Sequence, residues 1–258
     1  MQNGIYNALF GAMAQEYRLD VIANNLANSS TAGFKRQKIA FQDLMDKRHH
    51  DLLEMSSCIR EEGWCPRPDV TSETRVAEVM LDMSPGGMRQ TGNPLDLAVQ
   101  GEGFFKVETD QGVMYTRNGQ FQLTPEGTVV TSGGHALLGQ GGPVVIPEGG
   151  EILVRGDGQV SLGNEIVGVL DVVTVTDPRA LEKFGENLFR IREGADAGEV
   201  PAEGFQVSQG ILEDSNVSVV EEMVSMIETM RMFEAYQKVM TSVQDEDKKV
   251  IQEVGATR

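Results

Sequence analysis

The chain is poor in the residues that most catalytic and metal chemistry uses. It holds three histidines, two cysteines and one tryptophan in 258 residues. His49 and His50 lie in a polar stretch and His135 follows the Gly133-Gly134 turn, so all three read as solvated loop residues. Cys58 and Cys65 are close in sequence, and a disulfide between them would close only a small loop. Their spacing from His49-His50 fits no structural zinc pattern. Gly101-Glu102-Gly103 lacks the third glycine of a dinucleotide fingerprint and opens no helix. Gly141-Gly142-Pro143 leads into a strand and reads as a turn, as does Arg155-Gly156-Asp157. No pair of carboxylates has a context for acid–base work. These scarcities predict no catalytic residue, no cofactor and no metal site.

Positive charge is scarce too. Lysine and arginine number 22 against 39 acidic residues, a formal net charge of −17. Nucleic acid and anionic membrane surfaces need a basic footprint, so neither is expected as the main partner. The acidity reads as a solubility device. There is no run of about 18 apolar residues, which predicts no transmembrane segment. Residues 1–20 lack a basic start, and Asn7, Gln15, Glu16 and Arg18 interrupt any apolar core, which predicts no cleaved signal peptide. Hydrophobic content of 40% excludes wholesale disorder.

What the chain does have is an amphipathic segment at each end. Ile5, Leu9, Ala12, Met13, Leu19, Ile22, Ala23 and Leu26 recur at helical steps. They predict a helix of about 22 residues, roughly 33 Å long, weakened by Asn24, Asn25 and Asn28 and stopped by Ser29–Gly33. Residues 34–48 then form a basic island, with Lys35, Arg36, Lys38, Lys47 and Arg48 set among Phe34, Ile39, Phe41, Leu44 and Met45. Residues 49–84 look irregular, apart from a short strand around Thr74–Val79, and read as an insertion or connector. From Pro85 to Gly210 glycine-rich turns alternate with short β runs such as Leu95–Val99, Phe104–Val107, Ile152–Val154 and Val169–Val175. Asn118-Gly119, between Tyr115 and Phe121, gives a two-residue hairpin signal. Short strands at this spacing predict an antiparallel sandwich or irregular barrel.

At the other end Ser218-Val219-Val220-Glu221 is a capping box that opens a helix of about 35 residues, some 52 Å. Its stripe is Met223, Met226, Met230, Phe233, Tyr236, Met240, Val243 and Val250. A methionine stripe serves equally as plain core or as a seam against non-identical neighbours. The helix is too long to bury against a small β domain alone, so part of the stripe needs another helix.

Three stretches carry a family resemblance. Leu19–Asn28 with Thr31-Ala32-Gly33-Phe34-Lys35 resembles the N-terminal signature of bacterial flagellar rod and hook axial proteins. Asn93–Phe105, continued by Tyr115-Thr116-Arg117-Asn118-Gly119-Gln120-Phe121, is similar to the central motif of that family. Gly210–Val217 with Val220–Val224 resembles its C-terminal signature. The order is that of the family and the stretches span nearly the whole chain. Length and a single β domain fit a rod protein better than the longer hook protein. Met226-Ile227-Glu228 and Met232–Lys238 look more like the proximal-rod type than the distal one. Residues 49–84, with Cys58 and Cys65, depart from the shared core.

The resemblance implies an α+β fold in which N- and C-terminal helices form a coiled-coil-like unit and a central antiparallel β domain faces outward. It divides the chain into an N-terminal helix and exit segment (1–45), an irregular connector (46–84), an outer β domain (85–210) and a C-terminal helix (211–258). It implies a non-enzymatic subunit without cofactor, exported through the flagellar type III apparatus and assembled in the periplasm with copies of itself and other rod proteins. The expected assembly interface is Ile5, Leu9, Met13, Leu19, Ile22, Asn24, Asn25, Leu26, Asn28, Gly33, Phe34, Met223, Met226, Ile227, Met230, Phe233, Tyr236, Met240 and Val243. Whether the helices pair within a subunit or between subunits is left open by the pattern. A distal-rod or hook-type protein is the alternative within the family. Outside it stand a surface-binding β domain on a helical oligomerisation stalk and a hydrolase using acidic residues. Burying about eight seam residues would yield well over about 10 kcal/mol gross. Ordering about 55 residues costs a comparable amount, so the ends of a free monomer are expected to be largely disordered.

Overall fold

In the computed structural model the described residues are 2–45, 72–147, 149–163, 165–192, 194 and 197–255. His49, His50, Cys58 and Cys65 lie outside them, as do residues 49–71 of the stretch 49–84 expected to be irregular. The chain is α+β: two long terminal helices enclose an antiparallel β region in sequence. It divides into two compact units, one of residues Met1–Asn24, Gln37–Met80 and Val220–Arg258, the other of Asn25–Arg36 and Leu81–Val219.

The first unit is mainly helical. Helix α1 spans Gln2–Ala27 and α2 spans Val219–Gly255, 37 residues or about 56 Å. Two acidic residues, Glu221 and Glu222, occupy the first turn of α2, where they complement the positive end of the helix dipole. Strands β1 (Gln37–Met45) and β2 (Ser72–Leu81) form a two-stranded sheet. The basic island thus begins a strand, and the strand expected around Thr74–Val79 is longer than its polar sequence suggests.

The second unit is built from short antiparallel strands. In chain order they are β3 (Met88–Gln90), β4 (Leu97–Gln100), β5 (Phe104–Thr109), β6 (Gly112–Thr116), β7 (Phe121–Leu123), β8 (Val129–Thr131), β9 (Ala136–Gly139), β10 (Gly142–Pro143), β11 (Ile152–Val154), β12 (Gln159–Leu162), β13 (Glu165–Val169), β14 (Val172–Val175), β15 (Leu181–Gly185), β16 (Leu188–Ile191), β17 (Glu199–Pro201), β18 (Gln206–Gln209) and β19 (Ile211–Glu213). The largest sheet has ten strands and runs β15-β16-β6-β5-β9-β8-β7, with β10 on β9 and β14 joining β5 to β17. The strands β11-β12-β13 form a three-stranded sheet, and β18-β4 and β19-β3 are two-stranded ladders.

Strand β5 is the centre of the packing because it is buried on both faces. Successive side chains of a strand point to opposite sides, so Phe104 and Phe105 enter different cores. Phe105 packs with Val107, Met114, Phe121 and Leu137, its ring edge-on to Phe121 at 5.3 Å. Phe104 joins Tyr115, Val173, Leu181 and Phe189, edge-on to Phe189 at 5.8 Å. Tyr115 hydrogen-bonds Glu199, and burial, helped by that carboxylate, pushes its hydroxyl up to about 12.

The hairpin expected at Asn118-Gly119 does not form. β6 pairs with β5 and β16, whereas β7 pairs with β8. The dipeptide is instead a local side-chain turn. Thr116 Oγ1 accepts from the Asn118 amide, and Asn118 Oδ1 accepts from the Gln120 amide. Gly119 is not among the positive-φ glycines. Its requirement is space: a Cβ there would lie 1.5 Å from the Leu97 carbonyl oxygen. Gly119→Ala should therefore cost about 3 kcal/mol or more in urea unfolding. Gly87→Ala, where a Cβ meets nothing within 4 Å, should stay within about 0.5 kcal/mol.

Candidate assembly site

The exit from α1 is a chain of short-range hydrogen bonds. The Asn28 amide donates to the Asn25 carbonyl, Ser29 donates its amide and hydroxyl to the Leu26 carbonyl, and the Thr31 amide donates to the Asn28 carbonyl. The segment then inserts Gly33, Phe34 and Lys35 into the β unit. Gly33 adopts φ +68°, and a Cβ would sit 2.3 Å from the Arg117 carbonyl carbon. Both the left-handed backbone and the close approach demand glycine there. The Gly33 amide donates to the Glu213 carbonyl at 2.7 Å. Phe34 is buried, with the Lys183 ammonium 3.9 Å above its ring, and burial pushes that ammonium down to about 8. Asn187 Nδ2 donates to the Ala32 carbonyl.

Lys35 and Glu213 are both 2% exposed. Lys35 Nζ donates to Glu213 Oε1 at 2.7 Å and to the Ser84 carbonyl at 2.9 Å. Glu213 Oε1 also accepts from the Gly86 amide at 2.9 Å. Its other oxygen lies 3.4 Å from Arg117 Nη1, which donates to the Val99 carbonyl at 2.8 Å. The knot therefore holds two cations and one carboxylate. Desolvation lowers the affinity of Lys35 and of Arg117 for their protons, and attraction to Glu213 opposes this in both. One residue turn further on, Asn216 clamps the same place. Its Oδ1 accepts from the Arg36 amide at 2.7 Å, and its Nδ2 donates to the Asp82 and Ser84 carbonyls. All three stretches that carry the family resemblance thus meet at one buried point.

Along the two helices and the exit from α1 the expected interface residues have several different environments. On α1, Ala8, Ala12 and Ala14 are buried together with Ile22, while Ile5 and Leu19 are half-buried. Gly11 has the ring of Tyr236 directly above it, since a Cβ would lie 2.5 Å from that ring. The larger Tyr6, Leu9, Met13 and Tyr17 are exposed. Asn24 is exposed, Asn25 is buried, and Leu26 and Asn28 are half-buried. On α2, Met226, Phe233, Tyr236, Met240 and Val243 are half-buried, with Thr229 buried on the same side. Met223, Ile227 and Met230 are exposed, alongside Val220 and Val224. At 3.6 residues per turn the two sets lie roughly 140° apart around the helix. The methionine stripe thus contains two faces.

Sequence reasoning passed over Lys35, Arg117, Glu213 and Asn216 as functional residues. Each stands inside a quoted family motif, and that was the available signal. Among the described residues no cluster of histidine, cysteine, aspartate and glutamate could hold a metal ion, and no described helix is long and apolar enough to cross a membrane.

Three family descriptions match, in chain order. They are "Flagella basal body rod protein" over residues 5–35, "Flagellar hook protein FlgE/F/G D1 domain" over 98–162 and "Flagellar basal body rod FlgEFG protein C-terminal" over 208–253. Over its whole length the chain is 34% identical to the flagellar basal-body rod protein FlgF of Caulobacter vibrioides, with 99% of each chain covered. It belongs to the flagellar basal-body rod family. The rod protein FlgG of Borreliella burgdorferi is 33% identical, with 92% of this chain and 93% of that protein covered. FlgG of Bacillus subtilis is 32% identical, with 94% and 95% covered. The chain is therefore a structural rod protein and not an enzyme. The three rod-family matches contain Lys35, Arg117 and Glu213, one in each.

Removing one partner of a buried ion pair costs about 3–5 kcal/mol. Lys35→Met leaves Glu213 still facing Arg117 and should fall at the lower end of that range. Glu213→Gln leaves two buried cations without a carboxylate and should cost more. Urea unfolding of both variants checks the order, and equal or reversed costs would refute this account of the knot.

Proposed function

We propose that the chain polymerises helically through its terminal helices as part of the periplasmic drive shaft and export channel of the flagellum. The single observation that carries this is the pair of exposed apolar faces: Tyr6, Leu9, Met13 and Tyr17 on α1, and Met223, Ile227 and Met230 on α2. Large hydrophobic side chains in such rows mark interaction surfaces. A half-buried second face on each helix, with Gly11 against Tyr236, supports pairing of the two helices within a subunit. The exposed faces then serve contacts between subunits. Contacts between unlike faces do not close into a ring unless the rotation closes, and so propagate as a tube.

In this reading the helices of residues 1–45 and 211–258 form the coiled-coil-like inner layer, while the segments that leave α1 and lead into α2 pack in the β unit; 46–84 is the connector and 85–210 the outer domain. The subunit reaches the periplasm through the flagellar type III apparatus without a cleaved signal peptide, and its neighbours are copies of itself and other rod proteins. The match over 99% of the C. vibrioides FlgF chain supports the proximal-rod type, and the FlgG matches support a distal-rod type as the second reading.

Met230, half exposed, is the residue to test. Met230→Asp should abolish assembly, seen by sedimentation and electron microscopy, while near-ultraviolet circular dichroism still reports a folded β unit. Normal incorporation of this variant into rods would refute the role of the exposed stripe.

A further inference from the structure

The exposed rows on the two helices have matching spacings. On α1, Tyr6, Leu9, Met13 and Tyr17 follow steps of three, four and four residues. On α2 read backwards, Met230, Ile227, Met223 and Val220 follow steps of three, four and three. Each row covers about 15–17 Å of helix, and each stops abruptly. Past Tyr17 the same face of α1 carries Asp20 and Asn24, and past Met230 the same face of α2 carries Arg231, Glu234 and Lys238, all exposed. Both rows lie on the side away from the buried residues of their own helix, Ala8, Ala12 and Ile22 on α1 and Thr229 on α2. They also stand at different heights. Helix α1 ends six residues before Gly33 and α2 begins six residues after Glu213, and the Gly33 amide donates to the Glu213 carbonyl. Gly11 of α1 meets the Tyr236 ring of α2. The helices therefore run antiparallel, with Tyr17 level with Met230 and Leu9 level with Lys238. Within one subunit one row ends where the other begins, so neither covers the other.

We infer that the α1 row of one copy seats on the α2 row of a second copy, antiparallel, with Tyr6 on Met230, Leu9 on Ile227, Met13 on Met223 and Tyr17 on Val220. This pairing fixes how the two copies are staggered. Leu9 is level with Lys238 of its own subunit but meets Ile227 of the neighbour, eleven residues away, so the second copy is shifted by about 16 Å along the helix axis. Every copy offers both rows, and the rows differ, so the contact is head-to-tail and the same step repeats from copy to copy. Together the two rows expose on the order of 1,000 Å² of side chain, the range of weak and transient interfaces and less than a stable dimer needs. A lone pair of copies therefore separates readily, and the contact lasts where a copy is held on both sides. The inference rests on the helical reading above, which requires only that these faces meet a partner and sets neither the pairing nor the step.

The test cross-links full-length chains in a Cys58→Ser, Cys65→Ser background. A Leu9→Cys population is mixed with an isotopically heavy Ile227→Cys population, concentrated until polymer sediments, and oxidised. Both positions are exposed, so neither substitution disturbs a core. The disulfide between the two populations should form at least tenfold more than in a parallel mixture where the heavy chain carries Lys238→Cys instead. The inference is overturned if the Lys238→Cys chain captures the Leu9→Cys chain as well as the Ile227→Cys chain does, which would mean neighbours without the step. It is also overturned if Leu9→Cys chains join chiefly to one another, or if polymer forms with no disulfide between the Leu9→Cys and Ile227→Cys chains. Each of these results leaves the helical reading standing. Chain that stays monomeric at millimolar concentration removes both.

Discussion

The ion pair between Lys35 and Glu213 is the constraint on which the rest of the β unit depends. It joins the segment leaving α1 to the segment that returns toward α2, and Arg117 ties both to the central motif. A buried charge is costly unless paired and hydrogen-bonded. Here the satisfying groups are the Gly86 amide, the Ser84, Val99 and Gly101 carbonyls and the three charges themselves. An apolar cluster of equal volume would tolerate a shifted exit segment, because dispersion has no direction. Charge-assisted hydrogen bonds are directional and fix the register of the segment.

The helices and several of the strands were legible because they follow periodicities of 3.6 and 2. Phe104-Phe105 was legible as a strand, though not as the pivot between two cores, since that depends on what packs on each side. The knot was hidden for a physical reason. Lysine, arginine and glutamate are almost never fully buried unless paired, and nothing local tells Lys35 that its partner stands 178 positions away. Asn118-Gly119 misled because glycine answers two needs. The same dipeptide serves a left-handed turn or, as here, the close approach of another backbone at Leu97.

The apolar face of α2 was legible as a stripe, and its division into two faces was not. A row of methionines has the same spacing whether one neighbour or two cover it. Burial separates Phe233 and Tyr236 from Met223 and Met230, and only the second set is left for a partner. Gly11 of α1 carries no signal in the sequence, where only its neighbour Ala12 belongs to the hydrophobic stripe. In the fold it is the place where the Tyr236 ring can approach the helix backbone.

The span of the knot has a consequence for the time course of folding. The segment Asn25–Arg36 is among the earliest parts of the chain to be made, while Glu213 is among the latest. Closing so long a loop must precede any reward from the contacts it makes, which slows folding in chains dominated by distant pairings. A nascent chain that ends short of residue 213 has Lys35 with no carboxylate to receive it and β3 with no β19 to pair. The β unit can therefore complete itself only when nearly the whole polypeptide is in one place. Until then the chain stays open.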